Sequence, residues 1–151
     1  MTTNSELRAF LPTDLATVLT TAYPVTSGDI YFDRQTRSKR ERSEIALMMQ
    51  MRPIEEADLG NLYAYSVLIE LFRAQGDPYW TETFRSEIEE ARTVLQDAYH
   101  NNIDRFQATI SRDVDYVHCH EVGPPQESER NKEERTKISQ FFLLEVGVWE
   151  S

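Results

Sequence analysis

The chain predicts an α+β fold: a mostly antiparallel sheet with one long amphipathic helix packed on it and a further helix at the N-terminus. Two observations carry this. Between Tyr79 and Asn102, residues Trp80, Phe84, Ile88, Ala91, Val94, Leu95 and Ala98 recur at three- and four-residue steps, which places them on one helical stripe. The flanking segments alternate at the two-residue period of strands and are rich in β-branched and aromatic residues. A single-striped helix of about six turns must bury that stripe, and the strands are what the chain offers it.

Thr3 to Tyr23 reads as a helix broken at Pro12. Leu7, Phe10 and Leu11 precede the break, and Leu15, Val18, Leu19 and Ala22 resume the spacing after a new start at Thr13-Asp14. Pro24 and Gly28 end it. Asp29 to Arg34 is a short strand, followed by a long basic loop in a first hairpin. Glu44 to Pro53 sets Ile45, Leu47, Met49 and Met51 against Ala46, Met48, Gln50 and Arg52; methionine also suits a helix, and the alternation favours strand. Glu55 to Gly60 is a polar loop. In Asn61 to Ala74 both periods fit, since Tyr63, Tyr65, Val67, Ile69 and Leu71 alternate while Leu62, Tyr65, Ile69 and Phe72 have helical spacing. The density of β-formers decides for strand.

The central helix begins after Gly76, with Asp77 as N-cap and Pro78 at the first position. Glu82 in its early part suits the dipole, and Asn101 and Asn102 supply an exit. Phe106 to Val122 is the next strand, with Val114, Tyr116, His118 and His120 on one face and Asp113, Asp115, Val117 and Cys119 on the other. Gly123-Pro124-Pro125 breaks it. Gln126 to Lys137 has no apolar residue and is expected to be a mobile loop at a hairpin tip. Ile138 to Trp149 is the clearest strand. The chain is expected to form a single domain over 1–151, with flexible loops at about 34–43 and 126–137.

Composition narrows the function. Of 151 residues, 40% are hydrophobic and 28% charged, values of an ordinary globular domain. No apolar run is long enough to span a bilayer, and the first residues lack the blocks of a signal peptide. The single cysteine, Cys119, allows no internal disulfide and fits a reducing compartment, so synthesis in a cytosol is expected. The net charge of −10 speaks against a general nucleic-acid-binding surface. Arg34, Arg37, Lys39, Arg40 and Arg42 stand against Glu41 alone, a local net of +4 that leaves −14 elsewhere. A basic loop on an acidic body suits self-association between unlike patches, or one acidic partner; a solvated loop is the plainer alternative.

No catalytic constellation emerges. The glycines have no phosphate-cradling spacing, and no nucleophile elbow is present. Cys119 lies between two histidines, but adjacent strand residues point to opposite faces. His118 and His120 share a face and could begin a metal site with Tyr116 or His100; no third ligand stands at a recognisable spacing. Glu87, Glu89, Glu90 and Asp97 belong to the solvated side of the central helix. The chain is expected to have no enzymatic activity, no cofactor and no metal.

The order of elements adds one more reading. The residues NLYAYSVLIELFRA before TETFRSEIEEARTVLQDAY, and DVDYVHCHEVGPP before ISQFFLLEVGVWE, give the chain a layout that resembles tail terminator (tail-completion) proteins of long-tailed bacterial and archaeal viruses, from about Leu7 to Trp149. That resemblance implies a virion structural protein made in the host cytoplasm: a homo-oligomeric, usually hexameric ring at the head-proximal end of the tail tube. The tube protein and a head–tail connector or neck protein would be its partners. DNA would pass its lumen without specific binding, as acidic walls favour, and no membrane is involved. Arg34, Arg37, Lys39, Arg40 and Arg42, with Glu129, Arg130 and Lys132 of the charged loop, are the candidate contacts between subunits or with partners. The alternative is a small cytosolic binding or regulatory module whose basic loop meets an acidic partner; a metal-dependent enzyme built on His118 and His120 is a third reading.

Overall fold

A computed structural model describes residues 2–20, 22–23, 30–32, 44–54, 61–74, 80–128 and 137–150. Its first helix, α1 (Thr3–Val18), runs unbroken through Pro12, against the expectation of two pieces. The reason is burial. Leu7, Leu11, Leu15 and Leu19 repeat every four residues on both sides of the proline, and each is fully buried. At about 1.5–3 kcal/mol for each buried leucine, the stripe outweighs the roughly 3 kcal/mol that an interior proline costs. Thr2, not Thr13, caps the helix, its Oγ1 accepting the Ser5 N–H at 3.1 Å.

Five strands form one sheet in the order β1-β2-β3-β5-β4. They are β1 (Ile30–Phe32), β2 (Glu44–Pro53), β3 (Leu62–Ala74), β4 (Val114–Ser128) and β5 (Lys137–Trp149). Three of the four pairings are antiparallel; β1 and β2 are parallel, with Ile30 opposite Ile45. The fold is therefore α+β with a mixed, mostly antiparallel sheet. The expected first hairpin is absent, because parallel neighbours require a crossover. The strand readings over 44–53 and 61–74 hold. β5 is an interior strand, between β3 and β4, which accounts for its nearly continuous apolar character.

The cover on the sheet is two helices rather than one. α1 shares the layer with α2 (Trp80–Tyr99), and a short α3 (Ile103–Gln107) follows. From α2, Phe84, Ile88, Ala91, Leu95 and Tyr99 are buried and join the α1 leucines against Leu47, Val67, Ile69, Phe142, Leu144 and Val146 in one core. One buried polar junction fixes the helices to each other. Asp14 of α1 accepts the Tyr99 hydroxyl at 2.9 Å and takes both Arg105 Nε and a terminal guanidinium nitrogen, at 2.9 and 2.8 Å. This two-point guanidinium pairing has a fixed geometry. Glu6 ties α1 to the turn after α3 by accepting the Ser111 N–H and hydroxyl at 3.1 and 3.2 Å.

Four local readings change between α2 and β5. Phe106 is not in a strand: Asn102 accepts the Arg105 N–H at 3.3 Å and caps α3, which buries Phe106 against Tyr99 and Phe10. Asn101 adopts the left-handed conformation, φ 58°, the helix exit that asparagine tolerates. β4 then starts with a bulge between Val114 and Tyr116. The extra residue shifts the alternation, so Val114 joins Val117 and Cys119 on the buried face instead of sharing the face of Tyr116 and His118. Gly123-Pro124-Pro125 makes a second irregularity without ending the strand, and β4 continues to Ser128. Residues 126–128 and Lys137 thus belong to the hairpin's strands, not to its loop.

Candidate functional site

Both helices lie on one side of the sheet; on the other, among the described residues, no helix covers Met48, Gln50, His118 or His120, while Ala46, Ala64, Phe72 and Ser139 are buried. Cross-strand register assigns the residues of that side. Met48, Leu68, Leu143 and His120 form one row across four strands; Gln50, Ser66, Glu145 and His118 form the next. Met48 is 53% exposed, His118 and His120 are exposed, and Leu68 and Leu143 are half-buried. Exposed Met48 beside half-buried Leu68 and Leu143, with Ala46, Glu70, Phe141 and Val122 in the row on the other side, is the surface among the described residues that most calls for a partner.

Several polar groups of this face are matched with one another. Glu145, in β5, accepts the Tyr116 hydroxyl at 2.8 Å, the Ser66 hydroxyl at 3.1 Å and an Arg52 nitrogen at 3.4 Å. Burial together with the Glu145 carboxylate raises the Tyr116 phenol above its ordinary value. The Tyr116 ring lies over Gly147, its partner in register, so closely that a Cβ at Gly147 would overlap ring carbons. Glu70 similarly accepts the Ser139 hydroxyl at 2.7 Å.

The β4 edge of the sheet is sealed. Gln107 Oε1 accepts the Val114 N–H at 2.8 Å, the Asn101 N–H donates to the Val117 carbonyl at 2.9 Å, and the Cys119 N–H donates to His100 Nδ1 at 3.0 Å. Farther along, Pro124 and Pro125 have no N–H to offer, and the irregularity there disrupts the edge. Arg92 of α2 clamps Glu121 of β4 at 2.7 Å. Strand addition at this edge is therefore disfavoured, and recognition has to use a face.

The sequence candidates divide as follows. Arg34, Arg37, Lys39, Arg40 and Arg42, and likewise Glu129, Arg130 and Lys132, lie outside the described residues, as does the proposed cap Asp77. Cys119 is buried, and desolvation pushes its thiol up to about 12, the reverse of what a nucleophilic cysteine needs. His118 and His120 share the face opposite the helices, and His100 reaches around the β4 edge to lie 5.8 Å from His118, ring to ring. Among the described residues no group of three His, Cys, Asp or Glu side chains could hold a metal ion. Glu89, Glu90 and Asp97 are exposed on α2, as its pattern predicts. A cleft of about 410 Å³ opens beside the start of α1, lined by Thr2, Asn4, Met51, Tyr63 and Glu150 among others. Glu150 is already engaged there, by the Tyr65 hydroxyl and by Arg112 at 2.9 Å.

Sequence reasoning did not find the Glu145 cluster, because its members come from four strands. The signal available was the lone acidic residue inside the aliphatic run of β5. No helix among the described residues is long and apolar enough to cross a membrane.

Comparison with known proteins adds little to this geometry. No family of known proteins matches the chain, and no curated protein does. Among solved structures it is similar to a chain from the virion of a native gene transfer agent particle, with a TM-score of 0.44 and 14% identity over 96% of this chain and 91% of that one. A likeness of that size assigns no role.

Proposed function

We propose that this protein is a non-enzymatic virion structural subunit of the tail terminator type. It forms a homo-oligomeric ring, of six copies, at the head-proximal end of a tail tube, where it joins tail to neck. The supporting observation is the sheet that, among the described residues, carries helices on one side only, with Met48, Leu68 and Leu143 and the Glu145 hydrogen-bond cluster on the other. Burying that cluster strands no charge, whereas burying an unmatched carboxylate costs several kcal/mol. The order of elements agrees with the layout of that family. The acidic balance of the chain, −10, suits a passage along which DNA slides without adhering.

Light scattering coupled to size exclusion tests the reading, over a tenfold concentration range, at two salt levels, with and without purified tail tube. A discrete species near six subunits, or a ring that forms only on tube, is expected. A monomer at every concentration that ignores the tube overturns it and favours a docking module whose basic segment Arg34 to Arg42 meets an acidic partner.

A further inference from the structure

We infer that the cleft beside the start of α1 binds a carboxylate carried on a small apolar body, with the carboxylate seated on the first turn of the helix. Met51 and Tyr65, which line it, are paired in register on the face of the sheet that carries the core. The site does not depend on how the protein assembles.

The donors come from α1. Thr2 accepts the Ser5 N–H through its side chain and the Glu6 N–H through its carbonyl, at 3.1 and 3.0 Å. That leaves the N–H groups of Thr3 and Asn4 to be satisfied from outside the helix, at the end where the dipole places partial positive charge. Glu6, the acidic residue of the first turn, is taken by Ser111.

A buried hydroxyl marks the same place. Thr3 is 1% exposed and lines the cleft, and its Oγ1 has no hydrogen-bond partner. The Tyr65 hydroxyl on the same cleft gives its proton to Glu150 and does not meet that need. A hydroxyl buried without a partner weakens the fold. A ligand oxygen on the first turn would accept from it and from the two N–H groups together.

Charge and size set the class of ligand. Glu150 on the wall is paired with Arg112 at 2.9 Å, so an incoming anion meets a neutralised carboxylate. Tyr63, Tyr65 and Met51 supply apolar wall. The volume of about 410 Å³ falls within the roughly 300–1,000 Å³ of small-molecule sites and far exceeds the ~30 Å³ of one water. A carboxylate at the helix with an aromatic or short aliphatic body beside the tyrosines fills these requirements. A free organic acid and the last residue of a peptide both offer that chemistry.

Amide NMR of isotope-labelled wild-type protein tests the site. It is titrated with phenylacetate and its neutral isostere phenylacetamide, then with N-acetyl-glycyl-phenylalanine as free acid and as amide. Each acid that fits should shift the Thr3 and Asn4 amides saturably and bind at least about tenfold more tightly than its amide. Tighter binding of the peptide acid assigns the cleft to a chain end; equal or tighter binding of phenylacetate assigns it to a free acid. Thr3→Val keeps the shape and removes the hydroxyl. It should bind the acids at least about fivefold more weakly and melt no lower than the wild type, because an unpaired buried group is gone.

Equal binding of acid and amide, or shifts that miss Thr3 and Asn4, overturn the assignment. So does a Thr3→Val protein that binds as well as the wild type, or one that melts several degrees lower, which would show the hydroxyl to be held within the fold. The wild-type titrations decide alone if the variant does not fold. None of these results touches the ring reading, which light scattering tests separately.

Discussion

Replacing Gly147 by alanine puts one methyl group where the structure has an aromatic ring. The Tyr116 ring covers Gly147, and a Cβ there would overlap its Cε1 and Cδ1. The ring must swing away, and the hydroxyl then loses Glu145, now 2.8 Å distant. Overpacking of this kind costs about 1–3 kcal/mol. A hydrogen bond to a charged group is worth about 1.5–3 kcal/mol; Tyr116 is half-buried, so water recovers much of that. Against this, removing a glycine restricts the unfolded chain and stabilises by about 0.4–1 kcal/mol. The net is a loss of about 2 kcal/mol, or about 4–8 °C in melting temperature for a chain of this length. Urea unfolding of four proteins measures it: wild type, Gly147→Ala, Tyr116→Ala and the double variant. In the Tyr116→Ala background the sign should reverse, with Gly147→Ala neutral or stabilising, because the clash is gone and the entropic gain remains. An equal loss in both backgrounds would falsify the idea that the ring over Gly147 is what excludes a side chain there.

Three further outcomes follow from the packing and the raised acid constants. Pro12→Ala should stabilise the protein by at least about 1 kcal/mol, since it restores an interior helical hydrogen bond whose absence costs about 3 kcal/mol and forfeits less in unfolded-chain entropy; a lower urea midpoint would refute the account of α1. Cys119, buried and with its thiol held up to about 12, should react with a disulfide reagent at pH 8 at least a hundred times more slowly than the same thiol in denaturant, and comparable rates would show the site to be open. Tyr65 is raised to about 12 by burial and by the hydrogen-bonded Glu150, and Tyr99 is raised too, by burial and Asp14. A phenol of the unfolded chain ionises near 10, so these two favour the folded state fully below pH 10; the Tyr65 contribution is lost as pH climbs through 12, and that of Tyr99 persists to higher pH. Absorbance titration near 295 nm should therefore show late-ionising tyrosines that join the early ones once the protein is unfolded; a single transition near 10 in the native protein contradicts the burial.

Much of the architecture could be read from the residues, because periodicity reports which way a side chain points. It placed β2, β3, β5 and α2 where they are. It is silent about neighbours, which is why the parallel alignment of β1 on β2 escaped it. It also assumes an unbroken period, and the one extra residue near Asp115 was enough to carry Val114 to the other face. Pro12 misled for a different reason: a local rule about hydrogen bonding was overruled by the burial of the four leucines on either side of it. α3 stayed hidden because Ile103 and Phe106 have strand character, while the cap that turns them into a helix is a single asparagine. The Glu145 cluster left only one trace, an acidic residue within the aliphatic run of β5, since Ser66, Arg52 and Tyr116 reach it only once four strands have paired correctly.

The interior place of β5 has a consequence for how the protein comes into being. β3 is complete at Ala74, yet the strand that pairs with its other side begins only at Lys137. During synthesis at about 5–20 residues per second, β3 therefore waits roughly 3–12 s for its partner. β4 is made earlier than β5 and waits as well, for a shorter time. In that interval two strands destined to be neighbours of the same absent one expose Val67, Ile69, Val117 and Cys119 to a crowded solution. The sheet closes like a zip whose slider arrives last. A nascent chain stalled before residue 137 is then the form of this protein that most needs a chaperone, and the form most prone to pair with the wrong strand.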